Sequence, residues 1–149
     1  MNYKLAALAL FSLFLTVMSL PEAQKVTGLP QQNQDIYEGW IYSSNVTNSY
    51  IFYQLYTAMN TNVNNSKTTP LIIYLEGGPG DSSTMTMFSE VGPYGVSTNF
   101  DIDNPDLQHL NLTLFKRNLT WTQKYHILSI DNPVMTGYSY SSSSKIVNS

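Results

Sequence analysis

One short segment, Glu76–Gly80, combines residue types and spacing that could take part in catalysis. It reads Glu-Gly-Gly-Pro-Gly and follows the continuous apolar run Leu71–Leu75, which is typical of a strand buried on both faces of a parallel sheet. Three glycines and a proline end such a strand and let another molecule approach the backbone. We therefore expect exposed N–H groups at the end of an inner strand, where they could bind a ligand.

The residues after this turn predict a short helix. Asp81, Ser82 and Ser83 can cap a helix over Thr84–Ser89, and Gly92–Pro93 provides the usual end. The order is therefore strand, glycine turn and helix. Taken alone, such a turn is also compatible with an ordinary connection that has no chemical role.

The joint spacing of these residues resembles the serine carboxypeptidase family. That family's pattern is a buried strand, Asn or Gln, Gly-Gly-Pro-Gly-x-Ser-Ser, and then Glu-x-Gly-Pro. This chain has Glu-Gly-Gly-Pro-Gly-Asp-Ser-Ser over Glu76–Ser83 and Glu-Val-Gly-Pro over Glu90–Pro93. The resemblance implies that the glycine turn donates an N–H group, that of Gly78, to the oxyanion of a tetrahedral intermediate.

A second signature follows a second predicted inner strand, Tyr125–Ile130. The sequence of Asp131–Tyr140 resembles the family's Asp-(Ser/Asn)-Pro-x-Gly-x-Gly-(Phe/Tyr)-Ser, except that Met135 stands at a usual glycine position. The Asn form of this signature, together with Trp121, points to the vitellogenic-like branch of the family. The resemblance extends from about Tyr37 to Tyr140 and corresponds to the amino-terminal third of such an enzyme.

The resemblance implies an α/β fold, namely part of an α/β-hydrolase sheet with an antiparallel hairpin, inner parallel strands and one short helix. The hairpin is also predicted by two Tyr- and Ile-rich runs, Asp35–Ser44 and Tyr50–Ala58, which a polar loop separates. We expect this hairpin at one end of the sheet. The stretch Ser97–Leu112 is predicted to be irregular.

Three residues would contact substrate if the family's roles carry over. In the family, the Asn or Gln position, the next glycine and the Glu before Gly-Pro bind the free C-terminal carboxylate of a peptide; here these are Glu76, Gly77 and Glu90. Glu76 departs from the pattern, because an ionised carboxylate has no donor and repels another anion. Protonation in an acidic compartment would restore one donor.

The catalytic triad of the family is missing from this sequence. No Gly-x-Ser-x-Gly nucleophile motif occurs. In the family the catalytic His follows the nucleophile in the chain, and His109 and His126 both precede the point where the nucleophile would come, so neither can be that His. We therefore expect structural roles for both histidines, and we expect Asp131 and Ser139 to cap a turn and lie at the solvated surface. The chain as given is predicted to be inactive alone.

The implied function is that of the amino-terminal part of a serine-type carboxypeptidase, which releases C-terminal residues from peptides. Its partner would be a peptide substrate with a free C-terminus, provided that the rest of the enzyme is supplied, and no cofactor or metal is expected. Two alternatives stay open: an acyltransferase of the same fold, which the Glu76 departure favours and Glu90 disfavours, and a non-catalytic secreted glycoprotein that serves as a binding module.

The first residues predict export. Lys4 precedes the mostly apolar run Leu5–Val17, which is the layout of a signal peptide. We assign residues 1–22 to a signal peptide and 23–149 to the hydrolase-like portion; a signal anchor is the alternative. The mature chain is expected in the secretory pathway, either secreted or lysosomal/vacuolar, and free of the membrane after cleavage.

Composition narrows the remaining classes of function. A net charge of −3 without runs of like charge does not favour nucleic acid as a partner. The chain has no cysteine, so disulfides and thiol chemistry are excluded. Four N-glycosylation sequons begin at Asn45, Asn64, Asn111 and Asn118, and we favour occupancy at Asn45 and Asn64.

We predict that the exported chain is cleaved between about Met18 and Lys25, because small residues follow the apolar run there. Amino-terminal sequencing of secreted material should begin within this interval. Recovery of intact Met1 in a membrane fraction would instead indicate an anchor.

Overall fold

A computed structural model of the chain describes residues 23–30, 33–59, 68–99 and 111–143. The described residues form eight strands and short helical segments. In chain order these are β1 (Gln24–Lys25), β2 (Ile36–Ser44), β3 (Ser49–Tyr56), β4 (Leu71–Tyr74), α1 (Ser83–Thr86) with a π-helical turn (Met87–Val91), β5 (Tyr94–Thr98), β6 (Leu112–Lys116), a 3₁₀ turn (Trp121–Gln123), β7 (His126–Ile130) and β8 (Tyr140–Ser141).

The main sheet has the strand order β1-β2-β3-β7-β4, and β8 pairs with β3 beside this path. β2 and β3 form the predicted antiparallel hairpin. β7 is antiparallel to β3 and parallel to β4, with Leu71 opposite His126. The mixed α/β sheet of the prediction is therefore present. Of the two strands predicted to be inner, β7 lies between neighbours, whereas β4 is the last strand of the described sheet.

One face of β4 is uncovered. Leu71, Ile73 and Leu75 are each more than half exposed, although their continuous apolar run predicted burial on both faces. The difference arises because no element in the described ranges covers this face of β4, and its outer edge is also unpaired there. The apolar run therefore gives β4 a face that is suited to packing, but the described residues supply no packing partner for it.

The opposite face of the sheet carries the core. The helical segment that follows the glycine turn covers this face, and Met87 packs there with Tyr56 and Ile127, all of them almost fully buried. Burying one such side chain stabilises the fold by roughly 1.5–3 kcal/mol. The core therefore fixes the position of α1 relative to β3 and β7.

A small second sheet replaces part of the stretch predicted to be irregular. β5 and β6 pair antiparallel, with Tyr94 opposite Lys116 and Thr98 opposite Leu112, so the prediction for Ser97–Leu112 was wrong at both of its ends. Residues 100–110 lie outside the described ranges. The Arg117 guanidinium donates to the carbonyls of Phe88, Ser89 and Tyr94, which ties the end of β6 to the π-helical turn.

His126, the first residue of β7, has the structural role expected for it. The ring is buried, and its Nδ1 accepts a hydrogen bond of 2.9 Å from the Ala58 N–H. Because Nδ1 is an acceptor, the ring is neutral and its hydrogen is on Nε2. Burial lowers the pKa of His126 below its usual value.

No helix within the described ranges is long and apolar enough to cross a membrane. The segment assigned to the signal peptide, residues 1–22, lies outside those ranges. Its cleavage therefore remains a prediction from sequence.

We predict that the free energy of unfolding decreases as pH falls from 7 to 5. Burial in the folded state disfavours the protonated ring of His126. As pH falls, this histidine is therefore protonated first in the unfolded chain, and stability is lost below about pH 6.5. In His126→Asn, the amide oxygen can still accept from Ala58 but does not titrate, so this part of the pH slope should disappear. Urea unfolding at pH 7 and pH 5 measures the free energy of unfolding of both proteins. An equal decrease in the unsubstituted chain and in His126→Asn would show that His126 is not the cause.

Candidate active-site segment

The glycine turn lies at the carboxyl end of β4 and leads directly into α1. Gly78 has φ +115°, a conformation that favours glycine, and a Cβ there would lie 3.1 Å from the Asp81 backbone nitrogen. Ser83 Oγ accepts from the Glu76 N–H at 2.8 Å, and Ser82 Oγ caps α1 by accepting from the Met85 N–H. The two serines of the motif therefore fix the turn from its helical side.

Two adjacent N–H groups in this turn differ in their hydrogen bonding. The Gly77 N–H donates to Glu76 Oε1 at 3.1 Å. The Gly78 N–H is exposed and has no hydrogen-bond acceptor among the described residues. Of the two groups, only that of Gly78 is free to meet a ligand.

Asp131, at the end of β7, joins the glycine turn to the second signature. Its carboxylate is fully buried. Oδ1 accepts from Ser82 Oγ and from the Thr84 N–H, both at 2.9 Å, while Oδ2 accepts from Thr84 Oγ1 at 3.2 Å and from the Tyr138 N–H at 3.0 Å. The start of α1 and the loop after β7 are thus held on one carboxylate.

The loop after β7 closes around the same aspartate. Gly137 has φ +54°, and a Cβ there would overlap Asp131 Oδ2, so only glycine fits. Ser139 Oγ donates to the Asp131 carbonyl at 2.6 Å and accepts from the Phe52 N–H at 2.7 Å. The expectation that Asp131 and Ser139 lie at the solvated surface was wrong, because both are buried and hydrogen bonded.

Met135, at the usual glycine position of the family pattern, has a backbone conformation that favours glycine. Its φ is +75°, its side chain is exposed, and its N–H donates to the Ser139 carbonyl at 3.1 Å. A non-glycine residue in this region costs roughly 1–2 kcal/mol. The departure from the family pattern therefore places a strained non-glycine residue in the loop.

A groove of about 680 Å³ opens beside the glycine turn, α1 and the Asp131 loop. Its lining includes three carboxylates and three large apolar or aromatic side chains: Glu76, Asp81 and Glu90, with Met85, Phe88 and Tyr138. The structure thus brings Glu76 and Glu90 to one groove, as the family pattern implies. Gly77 and Gly78 are not among its lining residues, although Gly80 of the same turn is. Asp81, Phe88 and Tyr138 were not predicted as site residues.

The Glu76 carboxylate is held in place by three donors. Oε2 accepts from the Thr86 and Tyr74 hydroxyls, the latter at 2.8 Å, and Oε1 accepts from the Gly77 N–H. The Thr86 hydroxyl, then the Gly77 N–H and the Tyr74 hydroxyl, lower the pKa of Glu76. These contacts favour the ionised form and oppose the protonated form that would offer a donor to substrate.

A smaller cavity of about 260 Å³ adjoins the groove and shares Thr84, Phe88 and Tyr138 with it. The hairpin supplies Trp40 and Phe52, whose ring centroids lie 5.0 Å apart. Trp40 Nε1 also donates to the Tyr138 carbonyl at 3.1 Å. The family-like hairpin sequence was the only sequence signal for this contribution.

The remaining predicted residues lie away from the groove. Asn45 is exposed in the turn between β2 and β3, and Asn111 and Asn118 are also exposed. Asn64 and His109 lie outside the described residues. Among the residues that the structure describes, no three His, Asp or Glu side chains form a group that could hold a metal ion.

Comparison with known proteins gives consistent matches. The family model for serine carboxypeptidase matches residues 26–149. The chain is 36% identical over 107 residues to the probable serine carboxypeptidase CPVL of Dictyostelium discoideum, covering 72% of this chain and 18% of the relative. It is 34% identical to the vitellogenic carboxypeptidase of Aedes aegypti, covering 72% of this chain and 19% of that protein.

A solved structure also matches. Kex1Δp, a prohormone-processing carboxypeptidase from Saccharomyces cerevisiae, superposes with a TM-score of 0.53 at 29% identity, covering 72% of this chain and 21% of that chain. The chain therefore spans about a fifth of the length of the relatives it matches.

We predict that Asp131→Asn lowers the free energy of unfolding by about 2–3 kcal/mol. The amide nitrogen replaces one acceptor oxygen, which leaves a buried donor such as the Tyr138 N–H without a partner. Urea unfolding followed by tryptophan fluorescence measures the change. As the matched control, the exposed Asp81→Asn should stay within about 0.5 kcal/mol of the unsubstituted chain. Similar effects of the two substitutions would refute the role of Asp131.

Proposed function

The chain belongs to the serine carboxypeptidase family, and from this we propose that it supplies the oxyanion donor and part of the substrate groove of a serine-type carboxypeptidase. Such a hydrolase releases C-terminal residues from peptides. The observation that carries the proposal is the N–H of the exposed Gly78, which has no acceptor among the described residues and lies in a glycine turn at the carboxyl end of β4. The relatives' names support hydrolysis rather than the acyltransferase or binding-module alternatives.

The Gly78 N–H would act on the tetrahedral intermediate of acyl transfer. As a nucleophile attacks the substrate carbonyl, its oxygen becomes negative, and a fixed backbone donor stabilises that charge without having to reorganise. A single donor of this kind typically changes kcat by about 10²–10³. The sequence contains no Gly-x-Ser-x-Gly, so nucleophile and base have to come from other polypeptide, and these 149 residues alone should not hydrolyse peptides.

The groove is the proposed position of the substrate's chain end. Glu76 and Glu90 line it, and Gly77 follows Glu76 directly in the chain. Apolar contact with Met85 and Phe88 would hold the terminal side chain, since apolar walls supply much of the affinity in such pockets. Peptides are therefore the proposed partners, and the proposed location is the secretory pathway, where the exposed Asn45 would be glycosylated.

The test is a chimera in which residues 26–149 replace the matching segment of Kex1Δp. We expect it to hydrolyse a blocked dipeptide, and we expect Gly78→Ala to lower kcat about 10²–10³-fold with little change in KM, because a Cβ at φ +115° displaces the donor.

The matched control is Gly28→Ala. Gly28 also has a positive φ, +85°, but a Cβ there meets nothing within 4 Å, and the residue lies outside the groove. Its substitution should leave kcat unchanged. Equal losses in both variants would show that backbone strain, and not an oxyanion donor, explains the Gly78 result. Turnover by the 149-residue chain alone would also contradict the proposal, because it would require a different mechanism.

A further inference from the structure

The described lining of the groove offers no cation to pair with an anion. Three carboxylates, those of Glu76, Asp81 and Glu90, line it, and none of the lining residues that the structure describes is Lys, Arg or His. Arg117 contacts the helical turn that carries Glu90, but its guanidinium donates to the carbonyls of Phe88 and Ser89 on that turn. A negatively charged ligand would therefore meet repulsion there without a compensating ion pair.

The carboxylate of Glu76 cannot turn away from such a ligand without losing hydrogen bonds. It accepts from Thr86, Tyr74 and Gly77 at once. The last of these contacts also occupies the Gly77 N–H, the nearest backbone donor in the turn. An incoming carboxylate would have to displace Glu76 from Gly77 and then remain beside it.

An uncharged chain end fits the same atoms better. A C-terminal carboxamide brings two N–H donors, and Glu76 Oε1, which accepts only from the Gly77 N–H, has a lone pair left for one of them. The amide also avoids the Coulombic repulsion, which is strongest between charges a few ångströms apart in a partly desolvated site.

We propose that Glu76 is a specificity-determining residue that disfavours a free terminal carboxylate in the groove and selects peptides whose chain end is uncharged, such as a C-terminal amide. The inference rests on the proposed function, because it uses the groove as the site of the substrate's chain end. The chain departs from the family pattern at this position, because the acid Glu76 replaces the usual neutral Asn or Gln.

The test compares two probes that differ only in the terminal group, a carboxylate or a carboxamide: N-acetyl-phenylalanine and N-acetyl-phenylalaninamide. Binding to the purified ¹⁵N-labelled chain at pH 6 is followed through the backbone amide signals of Gly77, Gly78 and Tyr138. We expect the amide to bind about tenfold more tightly than the acid, a moderate ratio because Glu76 is only half-buried and solvent screens its charge.

In Glu76→Gln the ratio should fall to about twofold; a residual preference is expected because Asp81 and Glu90 remain. The matched control is Asp35→Asn, which also removes one negative charge but lies outside the groove, paired with Lys25. It should keep the tenfold ratio. As a second measurement that needs no variant, raising the salt concentration from 20 mM to 500 mM should reduce the preference of the unsubstituted chain, since salt screens charge repulsion.

The outcomes separate this inference from the proposed function. Equal affinity of the unsubstituted chain for the two probes, or a ratio that Glu76→Gln leaves unchanged, would overturn the role of Glu76 and leave the groove as the site of the chain end. If neither probe at millimolar concentration shifted the three amide signals, the groove would not hold a chain end, and both proposals would fail.

Discussion

The local architecture depends on one buried carboxylate. Asp131 has no cation beside it among the described residues, and four donors from the start of α1 and the loop after β7 take the place of water around its oxygens. This arrangement is possible because β4 and β7 are parallel, so their carboxyl ends, and the loops that follow them, meet at the same edge of the sheet. The first turn of α1 and the backbone that carries Tyr138 are both placed by this contact. The groove between them exists because Asp131 holds its two walls together.

Local patterns in the sequence predicted much of the fold. The Tyr- and Ile-rich runs of the hairpin, the serine cap of α1 and the apolar run of β7 all depend on near neighbours in the chain. The burial of Asp131 depends on Ser82 and Thr84, which are far away in sequence, so no local pattern could show it. The pairing of β5 with β6 was missed because β6 is largely exposed and lacks the alternation that identifies a half-buried strand.

The residue type of Glu76 predicted part of its role, and its hydrogen bonds in the structure determine the rest. The sequence showed that a carboxylate stands where the family has the amide donor of Asn or Gln. Whether Glu76 repels a substrate carboxylate then depends on whether Glu76 is ionised or protonated. The hydroxyls of Tyr74 and Thr86 answer the question, because both donate to it. Thr86 lies beyond the glycine turn, and only the path of that turn brings it back to Glu76. The family pattern located the site, and the fold of the turn places the donors that favour the ionised form of Glu76.

The parallel pairing of β4 with β7 has a consequence for the order of events during synthesis. The ribosome completes Leu71–Leu75 long before His126–Ile130 exists, so this apolar segment emerges without the strand that it will join. The hairpin of β2 and β3 can form at once, but it borders β7 and cannot pair with β4 in this sheet order. Closing the long intervening loop is slow compared with forming a hairpin. The nascent chain therefore passes through a stage in which its most apolar strand is bare, which is the kind of segment that chaperones bind.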